Sequence, residues 1–549
     1  MPPAPQKYFK ASSLSPLVTQ LLYNRGVAIN EVQYFLTKPD NFEDNPFLLP
    51  DMGKAVDRIY KAIISREKIA VYGDFDVDGI TATIILVEGL SWLGGKVIPY
   101  IPNRLNEGHG QLVALPDLQK QGVSLVITVD CGISAIEEAI KANKTGLDLI
   151  ITDHHTPLAS LPQAIAVIDA KRSGSRYPFQ ELAGVGVAFK LLQALYQNDR
   201  REKRLTELLD LVALGTVADM VPLVNENRYL VIEGLKKLNH TNRVGIKELT
   251  LISGLELGKL DAKSIGWSLG PRINAASRLG DATVSYKLIT TTSLKEAVSL
   301  AKELGETNTE RQNLTRDALT MAKEKLTGKM DLPLIIESDE SYSIGVIGLV
   351  AGRLVDEFHK PAIIISLGPE ICQASCRSIP EFNLTAILKD CQDLLITFGG
   401  HPLAAGFTVT RQNLPQLEKK LMELAMTQLS QYDLRPILSI DAEIPLSIFT
   451  SDNINLIQQL EPFGQGNPCP TFLTKKVEVS ECRNFGNSNN YLKLKLQQGN
   501  ASWQAVDFRS KIKQSEIPTY IDIVYNLEKR RWNGEETLRL NLIDFVPSV

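Results

Sequence analysis

Lys68-Ile69-Ala70-Val71-Tyr72-Gly73-Asp74-Phe75-Asp76-Val77-Asp78-Gly79 runs from a β-branched apolar segment straight into three aspartates at alternate positions. An extended chain points alternate side chains to one face, so the spacing gathers three carboxylates on one side. Carboxylates held together repel one another, and the arrangement is costly unless cations neutralise it. Hard oxygen ligands suit Mg2+ or Mn2+. Gly79 lets the turn release into a helix predicted over Ile80 to Leu93, whose N-terminus also faces anions.

Outward from this stretch, apolar runs at Lys96 to Ile101, Ser124 to Val129, Asp148 to Thr152 and Ala164 to Ile168 alternate with helical segments. That alternation predicts an α/β fold with a parallel sheet. The first, third and fourth runs each end in polar residues: Asp74-Phe75-Asp76, Asp130-Cys131-Gly132 and Asp153-His154-His155. Open parallel sheets bind ligands at these carboxyl ends. Imidazoles beside carboxylates move the preferred ion from Mg2+ toward Mn2+. A single acidic loop is usually a solvated turn, and a lone His-His pair is usually structural. Independent turns, however, have no reason to collect after successive strands of one sheet. Asp219 follows Leu214-Gly215-Thr216-Val217-Ala218, where a helix ends before Pro222, and its role is not legible locally.

The chain has 549 residues, 44% hydrophobic and 22% charged, enough for several domains of a globular protein. We expect an N-terminal helical segment over 1–50, a catalytic domain over 51–290 and a connecting helix over 291–330, with Leu294, Ala297, Leu300, Ala301 and Leu304 at helical spacing. A smaller α/β domain over 331–432 follows, with apolar runs at Pro333 to Ile336 and Ala362 to Ser366. Short strands at Val477 to Val479, Tyr491 to Leu496 and Thr537 to Ile543 predict a β-barrel over 433–549. The net charge of −4 gives no global positive field, so any nucleic-acid surface must be local. Neither a signal peptide nor a membrane span is present, which predicts a cytoplasmic protein. The six cysteines form no Cys-x-x-Cys pair, as expected of reduced thiols rather than a zinc module.

The ordered set Gly73 to Gly79, Asp130-Cys131-Gly132, Asp153-His154-His155 and Gly215-Thr216-Val217-Ala218-Asp219 resembles the four signature motifs of DHH phosphoesterases. Gly270-Pro271-Arg272-Ile273-Asn274-Ala275-Ala276-Ser277-Arg278-Leu279-Gly280 resembles the segment closing the catalytic domain of RecJ exonucleases. Gly345-Val346-Ile347-Gly348, Ser375-Cys376-Arg377-Ser378 and Gly399-Gly400-His401 are similar to the DHHA1 substrate-binding domain. Pro462-Phe463-Gly464-Gln465-Gly466-Asn467-Pro468 resembles the approach to the RecJ OB-fold, and the likeness runs from about residue 20 onward.

This resemblance implies a DNA-repair and recombination nuclease that degrades single-stranded DNA 5′→3′ to 5′-mononucleotides, using two divalent cations, Mn2+ ahead of Mg2+. Asp74, Asp76 and Asp130 would hold one cation; Asp78, His154, Asp219 and a bridging Asp130 the other. His155 would contact the scissile phosphate, and Asp153 would orient a histidine. Arg104 matches a position near the substrate's 5′ end. Ser375 and Arg377 match a phosphate site, and Arg272 and Arg278 would lie along the DNA path; Asn274 and His401 are further substrate candidates, with a turn residue as the equal alternative for Asn274 and close backbone packing among glycines and alanines as the competing reading of His401. His109 stands where tyrosine is common, and Tyr342-Ser343 where a tryptophan-histidine pair is frequent. In the barrel, Trp503, Phe508, Tyr525 and Trp532 beside Lys511, Lys513, Lys529, Arg530 and Arg531 would stack bases and follow phosphates, with a place in the barrel core as the competing reading of the aromatics. A monomer is expected, with a helicase or single-stranded-DNA-binding protein as partner. A further C-terminal domain for partner contacts is not. Two rivals remain: a DHH enzyme for oligoribonucleotides or cyclic dinucleotides, disfavoured by the barrel and long helix, and an inactive nucleic-acid scaffold, disfavoured by the intact ligand set.

Overall fold

The computed structural model describes residues 1–12, 14–36, 44–108, 110–328, 331–486, 491–508, 516–532 and 535–548. Strands β1 (Lys68–Tyr72), β2 (Lys96–Tyr100), β3 (Val123–Val129), β4 (Asp148–Thr152) and β5 (Ala166–Ile168) form one all-parallel sheet in the order β2-β1-β3-β4-β5. Its central strands are buried because helices cover both faces, as parallel sheets require. The order makes β1, β3 and β4 direct neighbours, so the three aspartate-bearing strand ends emerge side by side. Adjacent strands lie about 4.8 Å apart, close enough for their terminal side chains to share a site.

The helix after β1 spans Val77–Trp92, three residues earlier than predicted. Asp76 caps it, its Oδ1 accepting from Gly79 N at 3.1 Å. Asp78 therefore sits in the first helical turn, and the simple picture of three carboxylates alternating along an extended strand is corrected.

Leu294–Lys325 forms one 32-residue helix. Its first half contributes Ala297, Ala301 and Leu304 to the core of the parallel-sheet domain. Its second half contributes Ala318 and Ala322 to a separate core with Ile347, Val350 and Ala351. Beyond it, β6 (Ile335–Asp339), β7 (Ala362–Ser366), β8 (Ile371–Arg377), β9 (Leu395–His401) and β10 (Ala404–Thr410) make a mixed sheet in the order β6-β7-β8-β10-β9.

The last domain has β11 (Ala442–Glu443), β12 (Phe472–Phe485), β13 (Tyr491–Gln498), β14 (Ala501–Asp507), β15 (Tyr520–Trp532) and β16 (Glu535–Pro547). Pairing of β12 with β15 closes a five-stranded barrel. The N-terminal helices belong to this barrel: Tyr8, Leu17, Val18, Leu21 and Leu22 share its core with Phe472, Ile523 and Leu540. Leu49, by contrast, packs into the parallel-sheet domain. All six cysteines are free thiols, and no helix among the described residues is long and apolar enough to cross a membrane.

Candidate active site

Four elements build the rim. Asp74 leaves β1 almost fully buried, and Asp76 and Asp78 begin the following helix. Asp78 Oδ2 accepts from Gly184 N at 2.7 Å and its Oδ1 from Val185 N at 2.8 Å. The N-terminus of helix Gly184–Tyr196 thus orients that carboxylate, as its free amides and dipole favour. Asp130 leaves β3 with φ of 59°, a left-handed conformation that Asp tolerates better than most residues. A Cβ on Gly184 would lie 2.5 Å from Asp130 Oδ1, so the helix approaches this closely only because residue 184 is glycine.

At the end of β4, Asp153 accepts three hydrogen bonds on Oδ1, from His154 N at 2.7 Å, His155 N at 3.1 Å and His155 Nδ1 at 2.7 Å. Its Oδ2 accepts from Ile133 N at 2.9 Å. With its oxygens so engaged, Asp153 is placed to orient His155. The His154 Nε2 lies 3.1 Å from Asp130 Oδ1 and 3.6 Å from Asp219 Oδ2. Asp219 enters from the C-terminal end of helix Leu209–Ala218.

Among the described residues, candidate ligand atoms form three groups, each within 4.8 Å: Asp74, Asp76 and Asp130; Asp78, His154 and Asp219; and Asp130, His154 and His155. Asp130 and His154 each occur in two groups. Burial and mutual repulsion hold Asp130 and Asp219 well above the usual carboxylate range and push Asp78 up to about 7. Burial, reinforced by His155, pushes His154 down to about 3. Burial alone would raise Asp153, but the hydrogen bond and charge of His155 hold it below its ordinary value. Asp130 Oδ1 and both ring nitrogens of His154 are buried without a well-formed hydrogen bond among the described residues. Buried polar atoms of this kind, beside mutually repelling carboxylates, fit a pair of divalent cations in both charge and donor chemistry.

The shifts give a testable sign. A carboxyl with a raised folded pKa contributes stability that is complete below its unfolded pKa and lost as pH rises through the folded one. His154, kept neutral, acts in the opposite sense below about 6.5, but it is one group against Asp78, Asp130 and Asp219. Metal-free protein should therefore melt at a higher temperature near pH 5.5 than near pH 8, an interval that brackets the Asp78 value of about 7. Mn2+ should add most stability at the alkaline end, where fewer protons compete with it for the ligands. Calorimetry in EDTA and in Mn2+ checks this; a metal-free melting temperature that falls steadily on acidification contradicts it.

A cationic group adjoins the cluster. Arg278 is pushed down to about 9 by burial and by the positive charges of Arg104, Arg311 and Arg377, with Asp76 as the opposing charge. Arg104 lies over the Phe75 ring, 4.9 Å from its centroid. Arg377 Nη1 donates to Cys376 O at 2.8 Å and to Ser375 Oγ at 3.3 Å. Arg272 is half-buried and donates to Ser268 O at 2.8 Å. His401 reaches in from β9, its ring nearly parallel to His155 with centroids 6.4 Å apart. Asn274 does something different: its Oδ1 accepts from Val77 N at 3.0 Å, securing the helix of the first motif. Ser343 precedes helix Ile344–Phe358 without a side-chain cap hydrogen bond, and His109 lies outside the described residues.

Sequence reasoning missed three contributors. Asp169 directly follows β5, fully buried and pushed up to about 7 by burial, with Asp153 adding to it. The strand-end rule applied one strand further would have found it. Gly184 and Arg311, the latter on the long helix, carried no local signal. In the barrel, Tyr525 is fully buried and hydrogen-bonds Thr474 at 2.9 Å, and Trp503 packs edge-on against Phe449. Both serve the core, because their strand positions point inward. Lys529 pairs with Glu461 at 3.1 Å. An aromatic cluster open to solvent is instead formed by the exposed Tyr491 and Phe508 with half-buried Phe485 packed on both, and Arg539 lies over Phe508 at 5.4 Å. Lys511 and Lys513, and the side chains of Arg530, Arg531 and Trp532, lie outside the described residues.

Residues 68–216 match the DHH family, N-terminal domain, residues 331–427 the DHHA1 domain, and residues 440–544 the RecJ OB domain. Sheet, carboxylate rim and domain order together define a DHH phosphoesterase with an appended barrel. The chain is 38% identical over 546 residues to the single-stranded-DNA-specific exonuclease RecJ of Bacillus subtilis (strain 168), covering 97% of this chain and 68% of that protein. The crystal structure of Thermus thermophilus RecJ in complex with Mn2+ superposes with a TM-score of 0.84 at 28% identity, over 100% of this chain and 79% of that one. Its Mg2+ complex gives 0.78 at 27% identity, over 100% and 78%. The chain belongs to the RecJ family.

Proposed function

We propose that this protein is a single-stranded-DNA exonuclease that hydrolyses phosphodiester bonds from the 5′ end and releases 5′-mononucleotides, in DNA repair and recombination. The observation that carries the reading is the meeting of Asp74, Asp76, Asp78, Asp130, His154 and Asp219 at one rim of the parallel sheet, with a guanidinium group beside it. Asp74, Asp76 and Asp130 are proposed to hold one divalent cation, and Asp78, His154 and Asp219, with Asp130 shared, the other; Mn2+ suits the imidazole and Mg2+ the carboxylates. A cation pair supplies an activated water and stabilises the attacking and leaving oxygens.

The chain's own residues do the rest. His155, oriented by Asp153, would meet a phosphate oxygen, a contact worth more as charge builds. His401 lies across from it on the second domain. Arg104, Arg278 and Arg377 offer planar forks suited to a terminal phosphate. Arg272 extends that cationic side, and Asn274 acts by fixing the metal-binding turn. The aromatic surface of Phe485, Tyr491 and Phe508 receives the strand further on. A monomer in the cytoplasm, assisted by a helicase or single-stranded-DNA-binding protein, completes the reading.

Incubation with Mn2+ and single strands labelled at either end tests it. Early release of labelled mononucleotide from the 5′-labelled strand alone supports the reading; early release from the 3′ label, or cleavage confined to dinucleotides, overturns it. Arg377→Gln should weaken use of 5′-phosphorylated ends by about 10- to 100-fold in kcat/KM, the worth of one or two charged hydrogen bonds. Ends lacking the phosphate should show a much smaller change.

A further inference from the structure

Asp219 lacks the main-chain anchoring of the two carboxylates at the start of the helix after β1. Asp76 and Asp78 accept hydrogen bonds from main-chain amides, whereas among the described residues no hydrogen bond to the Asp219 side chain is found. Its position must come from the backbone. That backbone is unusual: Met220, next in the chain, has φ of 63° and is 72% exposed. A left-handed, non-glycine residue persists only when its surroundings over-determine it.

Those surroundings come from another domain. Leu223 N donates to Gln465 O at 2.7 Å, in the loop leading into the barrel. Gly466, with φ of 72°, sits so close that a Cβ there would lie 2.9 Å from the Pro222 Cβ, and a Cβ on Gly464 would lie 2.7 Å from Leu223 Cδ1. The loop is itself anchored. Arg228 donates to Leu460 O and Gln459 O, each at 2.8 Å. Fully buried Asn467 donates to Leu460 O at 2.8 Å and Pro462 O at 2.9 Å, and accepts from Arg25 Nε at 2.8 Å. Catalytic domain, barrel and N-terminal segment therefore meet on one loop, which touches the catalytic domain three to five residues beyond Asp219.

We propose that the segment 462–468 is a positioning element of the metal centre, clamping the turn after Met220 so that the Asp219 carboxylate stays within the cluster. The barrel would then serve cation binding as well as the strand. This rests on the assignment of Asp219 to the metal centre.

Mn2+ titration calorimetry on the full chain without DNA is the test, using Gly466→Val and, as a variant adding no bulk to the loop, Arg228→Lys. Weakening of Mn2+ affinity by about tenfold or more is expected, the usual effect of disturbing groups behind a ligand. Single-strand affinity in EDTA should be unchanged. A clamp with only a structural role lowers the melting temperature and leaves the isotherm of the folded protein unaltered, and that result overturns the proposal. If Gly466→Val does not fold, Arg228→Lys decides by the same readout. Wild-type protein that takes up no Mn2+ overturns the metal assignment itself.

Discussion

Asp130→Ala should abolish turnover while leaving most of the single-strand affinity intact. This carboxylate belongs to two of the three candidate ligand groups, so its loss disturbs both proposed cation positions at once. Removing a group that merely supports a ligand costs about 10- to 100-fold, so removing a shared ligand should exceed about 100-fold in kcat. Arginines and barrel aromatics are untouched and keep the strand bound. Asp130 also has a left-handed backbone that alanine disfavours, so Asp130→Asn separates conformation from charge. The asparagine variant should be as inactive, yet more stable than wild type without metal, because a buried carboxyl whose ionisation Asp78 and Asp219 oppose is gone. Single-turnover kinetics, anisotropy with labelled oligonucleotide and metal-free melting read the three effects; substantial activity in either variant refutes the assignment.

Gly184→Ala should be nearly as damaging, although it adds a single methyl group. The new carbon would lie 2.5 Å from Asp130 Oδ1 and 2.6 Å from its Cβ, inside any real contact distance. Either Asp130 or the helix must move, and helix movement withdraws the amide that holds Asp78. We expect kcat to fall by about 100-fold through lost metal binding, with a stability loss of about 1–3 kcal/mol from overpacking. Mn2+ titration beside chemical denaturation distinguishes these; an alanine variant with normal metal affinity and activity rules out the close approach.

The fold was largely legible because two signals coincide: β-branched runs of strand length and acidic residues just beyond them. Lys68–Tyr72 and Asp148–Thr152 are found where the pattern places them. The start of the next helix was misjudged because a side chain, Asp76, sets it and hydrophobic period does not. Asp169 was overlooked although the run ending at Ile168 was recognised, because a single aspartate after it forms no motif with its neighbours. Gly184 was out of reach in principle, since its importance lies in what approaches it across the fold. The barrel aromatics show the limit of composition: alternation tells that Tyr525 faces one side, and only the closed barrel tells which side is inside. Residue types disclosed the candidate centre, while the loop clamped beneath Asp219 depends on segments more than two hundred residues apart.

The docking of the first helices on the last domain bears on how the polypeptide is made. Asn24 bonds Asp441, 417 residues later. At ribosomal speeds of about 5 to 20 residues per second, the apolar faces of Leu17, Val18, Leu21 and Leu22 wait roughly 20 to 80 s for their counterpart to emerge. Throughout that interval the nascent chain carries a sticky leading end, a natural target for holding chaperones. A gene shortened before the barrel would leave that end unsheltered for good, so its product should aggregate from its beginning rather than from its cut.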